Sequence, residues 1–68
     1  MENLPRFIRQ SDVVRIVGLS KSEIWRRVNA GTFPLPIRLG DRATRWEASE
    51  LEAWMKEWMA KRPAKRAA

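Results

Sequence analysis

Apolar residues recur along this chain at helical spacing in three stretches, separated by glycine turns, a proline-rich connector and a short alternating segment. The first stretch is short. Val13, Val14 and Val17 share one side of a helical pattern from Asp12 to Val17, with Ser11 as its N-cap and Arg15 pointing outward. Gly18 and Leu19 interrupt it. The second stretch, Lys21 to Ala30, is the best specified in the chain. Ser20 is a favourable N-cap and Glu23, three residues on, makes S-K-S-E a capping box, with Leu19 and Ile24 placed as the hydrophobic staple around it. Gly31 supplies the stop. At about 100° per residue, Val28 falls beside Ile24 on the core side, whereas Ser22, Arg26 and Asn29 fall opposite. Trp25 lies on the border and Lys21 in the first turn.

Thr32-Phe33-Pro34-Leu35-Pro36 cannot continue a helix and predicts an extended, stiffened connector. Ile37–Leu39 and Thr44–Trp46 then read as two short strands around Gly40-Asp41-Arg42-Ala43, a basic wing with Arg42 at its tip. Aligning the apolar residues on one face pairs Leu39 with Thr44 and Ile37 with Trp46. That register sets Arg38 opposite Arg45, a destabilising like-charge pair unless an anion sits between them. From about Glu47 to Lys61, Leu51, Trp54, Met55, Trp58 and Met59 form the longest apolar stripe, expected to pack beneath the first two helices. Glu47 or Ser49 stands at its cap, and Pro63 ends it. Residues 1–9 read as an extended lead-in, with Phe7 and Ile8 available to pack and Pro5 opposing helix.

Two short helices around a glycine turn, the second capped and carrying arginines, followed by a wing and a longer helix, outline a winged helix-turn-helix. The expected fold is mainly α, with three helices and a two-stranded wing: a domain over residues 1–60 and a basic disordered tail over 61–68. The chain has 68 residues, a size that buries only about 60% of its unfolded surface. It has no cysteine and no histidine, which removes disulfides, thiolate zinc sites and the commonest general base. No apolar segment approaches membrane-spanning length, so the chain is expected to be cytoplasmic.

Charge is segregated. Residues 20–46 carry six basic and two acidic groups and residues 61–68 four basic and none acidic, whereas residues 47–60 carry four acidic and one basic. That distribution turns one face toward a polyanion and the third helix away from it. The four carboxylates of the third helix line a solvated surface, with no nucleophile–base pair and no glycine-rich phosphate loop beside them. The expectation is a protein without enzymatic activity, cofactor or metal.

The order G-L-S-K-S-E-I-W-R, then G-T-F-P-L-P-I-R-L-G-D-R, then R-W-E-A-S-E-L-E-A-W resembles the AlpA-type phage regulatory proteins, within the excisionase-like and MerR-like winged-helix group. The resemblance covers about residues 7 to 60. It implies a second helix in the major groove of double-stranded DNA and a wing on the backbone or minor groove. It also implies regulation of prophage or integrative-element genes, including integrase and excision control. By position, Lys21, Ser22, Trp25 and Arg26 match the groove-facing helix, and Arg38, Arg42 and Arg45 match the wing. Arg27 and Trp25 depart from the family pattern, which has an apolar residue at the first position and often tyrosine or threonine at the second. Arg27 and Lys21 are expected on phosphates, which position without specifying, and Arg26 on a guanine edge. Expected partners are DNA, further copies of the chain on repeated sites, and RNA polymerase or an integrase. The alternatives are an excisionase-like architectural DNA-binding factor, or a protein-interaction module (inhibitor or assembly factor) acting through the exposed acidic face of the third helix, at Glu50 and Glu57.

Overall fold

A computed structural model describes residues 4–63. Among these residues the chain forms strand β1 (Phe7–Arg9), helices α1 (Gln10–Val17) and α2 (Lys21–Ala30), strands β2 (Ile37–Arg38) and β3 (Thr44–Glu47), and helix α3 (Ala48–Lys61). The strands make one antiparallel sheet in the order β1-β3-β2. The architecture is a winged helix-turn-helix, mostly helical, with a three-stranded sheet where the sequence predicts two strands. The predicted tail at 61–68 lies mostly outside the described residues: Lys61 ends α3, and Arg62 donates its backbone N–H to Met59 O.

The helix punctuation follows the local chemistry. Ser20 Oγ accepts the Glu23 backbone N–H at 3.1 Å, so α2 begins where its cap predicts. The other half of the capping box is replaced, because the Glu23 carboxylate is taken by Arg26 and Arg27. Gly18 and Gly31 end α1 and α2 with φ of 75° and 78°. Nothing lies within 4 Å of a Cβ built on either, so the left-handed backbone alone selects glycine there. Thr32 N–H returns to Arg27 O at 2.9 Å, which closes α2 as a Schellman turn. α1 starts earlier than its apolar pattern predicts. Arg9 occupies the N-cap without a side-chain bond, and Ser11 lies inside the helix, because β1 runs directly into it. At α3 the cap is Glu47, whose carboxylate accepts the Glu50 N–H at 3.1 Å.

The core consists of Val13, Ile24, Val28, Phe33, Trp46 and Leu51, one or two residues from each helix together with the connector and β3. Leu19, Trp25, Ile8, Trp54 and Met55 pack around it. The predicted stripe on α3 is core only in its first half: Leu51 is buried, but Trp58 and Met59 are 47% and 54% exposed. Phe33 sits at the centre of an edge-to-face series of rings, Trp25–Trp46–Phe33–Trp54–Trp58, with adjacent centroids 4.6 to 6.2 Å apart. Two of these tryptophans also hold the connector's backbone. Trp46 Nε1–H donates to Pro34 O at 2.9 Å and Trp54 Nε1–H donates to Thr32 O at 2.8 Å.

The wing register differs by one residue from the sequence expectation. Ile37 pairs with Arg45 and Arg38 with Thr44, and Leu39 N–H closes the turn on Ala43 O at 2.8 Å. The loop therefore holds three residues, Gly40 to Arg42, instead of four, and the shorter loop shifts every pair. Arg38 does not oppose Arg45. Alternation along the strands puts them on opposite faces of the sheet.

Candidate nucleic-acid interface

The free side of α2 carries Lys21, Ser22, Arg26 and Asn29, all exposed, while Ile24 and Val28 are buried beneath it. Arg26 is tied down rather than loose. Its Nε donates to Glu23 Oε1 at 2.9 Å and its Nη2 to Glu23 Oε2, which occupies one edge of the guanidinium. The Nη1/Nη2 edge stays open, and that is the edge able to make two parallel bonds to guanine O6 and N7. Glu23 also accepts from Arg27 Nε at 2.7 Å. The hydrogen bond from Arg26, then that from Arg27, hold its carboxyl down at about 2. The same contact raises the Arg26 pKa further above its usual value. Around neutral pH, Arg26, Glu23 and Arg27 thus form a fixed triad with one net positive charge.

The remaining predicted site residues of α2 face elsewhere. Trp25 is half-buried, with its ring centroid 5.6 Å from Trp46, so most of its contact is with the core. Arg27 turns toward α3, its guanidinium carbon 5.7 Å from the Trp58 ring centroid, and Lys61 Nζ lies 4.5 Å from that same ring. Trp58 thereby gives the arginine that stands at this position an aromatic surface to pack on. Its ring gives the aliphatic stem and the charge of the arginine a surface to lie on.

On the sheet, the basic residues gather at the turn end. Arg42 is exposed in the turn, and Arg38 is exposed at the end of β2. Arg45 is half-buried and donates Nη1 to Thr44 O at 2.9 Å, which fixes its head. The register adds a residue that sequence inspection missed: Arg9 of β1 pairs directly with Arg45. No local pattern marks Arg9, because its neighbour on the sheet is 36 residues away and appears only when β1 is recognised as a strand. Trp25 against Trp46 packs α2 on one face of the sheet, and alternation sends Arg45 out of the other face.

Among the described residues no cluster of three or more His, Cys, Asp or Glu side chains could hold a metal ion. Nor is any helix there long and apolar enough to cross a membrane. Glu47 titrates below the usual carboxylate range, chiefly through the Ser49 hydroxyl and then through backbone N–H groups, consistent with its role as a helix cap.

Comparison with known proteins matches residues 6–62 to the family model described as prophage CP4-57 regulatory protein (AlpA). An uncharacterized protein of Enterobacteria phage P4, ORF88, is 40% identical over 50 residues. The alignment covers 74% of this chain and 57% of the phage protein, so the chain spans little more than half the length of that relative. With the family model spanning both helices of the helix-turn-helix, the wing and α3, the chain belongs to the AlpA family of prophage regulatory proteins.

Proposed function

We propose that this protein binds double-stranded DNA sequence-specifically and regulates transcription or excision of a prophage or integrative element. In this account α2 enters the major groove and the wing arginines meet the backbone. The observation that carries it is the free face of α2. An exposed arginine is held by an intrahelical carboxylate with its second edge open, flanked by Lys21, Ser22 and Asn29 on a helix whose other side is locked into the core. Arg26 is assigned to a base edge, Lys21, Arg38, Arg42 and Arg45 to phosphates. Arg27 and Trp25 serve chiefly to brace α2 against α3 and the sheet, with any DNA contact at their margins. Binding should weaken steeply with salt, since neutralising each phosphate releases a counterion. The test is binding to duplex DNA by Arg26→Ala and Arg45→Ala, with folding verified by circular dichroism. Loss of binding in folded variants supports the proposal, and undiminished binding in both refutes it.

A second reading concerns copies of the chain on adjacent sites. Ile16, Leu19, Met55, Trp58 and Met59 line an apolar groove between α1 and α3. α3 is acidic at its start, with Glu50 and Glu52 after the Glu47 cap, and carries Lys56, Glu57 and Lys61 in its second half, with Arg62 just beyond. A second copy laid antiparallel on this groove would bring acidic and basic halves together while covering Trp58 and Met59. Sedimentation of the protein alone and with DNA, comparing wild type with Met59→Glu, decides this. Dimers lost in the variant favour the pairing, and a monomer in every case excludes it.

A further inference from the structure

Arg9 and Arg45 stand directly opposite each other on neighbouring antiparallel strands, so their side chains leave the same face of the sheet. Among the described residues neither forms an ion pair. Like charges in this position destabilise a sheet. Protection of an edge strand does not explain the pair: β1 is an edge, but a lone charge there suffices, and an arginine facing another arginine is the costly way to supply it. The two residues also differ in mobility. Arg45 is half-buried on the central strand, flanked by Ile37 on its other side and pinned through Nη1 to Thr44 O, whereas Arg9 is exposed. At the opposite end of the β1–β3 ladder Phe7 faces Glu47, and Arg6 follows with its carbonyl bonded to Ala48 N–H. The Arg9–Arg45 pair thus lies at the end of the sheet nearest the turn that carries Arg42.

We propose that Arg9 and Arg45 jointly hold one phosphate of the DNA backbone, with Arg45 as the fixed jaw and Arg9 as the jaw that closes on it. This site rests on the DNA-binding function proposed above, and it adds β1 to a contact surface otherwise made of α2 and the wing. A phosphate oxygen between the two guanidiniums converts their repulsion into two charge-assisted bonds. The position of β1 beside β3 then has a functional consequence: it delivers the second cation that the two-stranded wing lacks.

The experiment measures binding to a mixed-sequence duplex across a salt series for wild type, Arg9→Gln, Arg45→Gln and the double variant, with thermal midpoints of all four. Arg9→Lys, which keeps the charge, is a fifth protein. The proposal expects Arg9→Gln to weaken binding by roughly tenfold near physiological salt and to lower the salt slope by about 1. Its thermal midpoint should be unchanged or higher, because a repulsive pair is gone. The double variant should lose less than the sum of the singles, since both act on one phosphate. Arg9→Lys should keep the slope. Wild-type affinity and slope in Arg9→Gln, with Arg45→Gln impaired, would overturn the shared site and leave the DNA-binding function standing. Additive losses would put Arg9 on a separate phosphate and also overturn it. A lowered thermal midpoint in both Arg9 variants would make Arg9 a structural residue. Wild-type protein that shows no salt-sensitive binding would remove the function and this site together.

Discussion

The indole N–H of Trp46 donates to the carbonyl of Pro34 at 2.9 Å, joining the central strand of the sheet to the connector that leaves α2. Trp46 is fully buried, and its ring also meets Trp25 of α2 and Phe33 of the connector. One residue therefore fixes the angle between the wing and α2. Trp46→Phe keeps most of the apolar contact but leaves the Pro34 carbonyl without its donor. The expected loss is about 1–3 kcal/mol of stability, read by urea denaturation. Trp46→Ala should cost about 3–5 kcal/mol, enough to unfold much of so small a domain at ambient temperature.

The triad of Arg26, Glu23 and Arg27 predicts an acid dependence. Glu23 has a folded-state pKa of about 2 against an ordinary 4.5, so the unfolded chain binds more protons between those values. The stabilisation is complete above about pH 4.5 and is lost as pH falls toward about 2. Thermal midpoints measured through that range should fall less steeply in Glu23→Gln than in wild type. Glu47, also shifted down, keeps some dependence in the variant. Equal slopes in both proteins would mean that the triad does not persist in solution.

The ends of α2 give a separate test. Ser20→Ala removes the acceptor of the Glu23 N–H and should cost about 1 kcal/mol. Gly31→Ala meets no steric obstacle but must adopt a φ of 78°, so its cost should be about 1–2 kcal/mol, from the backbone alone. Gly31→Asn, which tolerates that conformation better, should recover part of the loss. Chemical denaturation of the three variants gives the comparison.

What the sequence revealed and what it hid divide along the range of the interactions involved. α2 is legible to the residue because its cap, staple and glycine stop lie within a dozen positions of one another. The outward placement of Ser22, Arg26 and Asn29 follows from the same helix. β1 was hidden because Phe7-Ile8-Arg9 is three residues long and its partners lie beyond residue 44. That omission concealed Arg9 and displaced the start of α1. Apolar alignment favours Leu39 pointing inward, whereas Leu39 is 51% exposed and the three-residue turn sets the wing register. Phe33 belongs by local pattern to a stiff connector, yet it is buried at the centre of the aromatic series, held by rings from distant elements. The exposure of Arg26 follows from its helix face, but its anchoring by Glu23 does not, because the capping box gives that carboxylate another use.

Selection from a randomised duplex DNA library with purified protein, run in parallel with Arg26→Ala, tests whether α2 reads sequence. The wild type should enrich a motif at about 0.15 M salt, where non-specific contacts are screened. In the folded Arg26→Ala variant that motif should lose its preference for guanine at one position, leaving weaker, salt-sensitive retention. An unchanged motif in the variant, or no motif with either protein, would contradict sequence reading by α2.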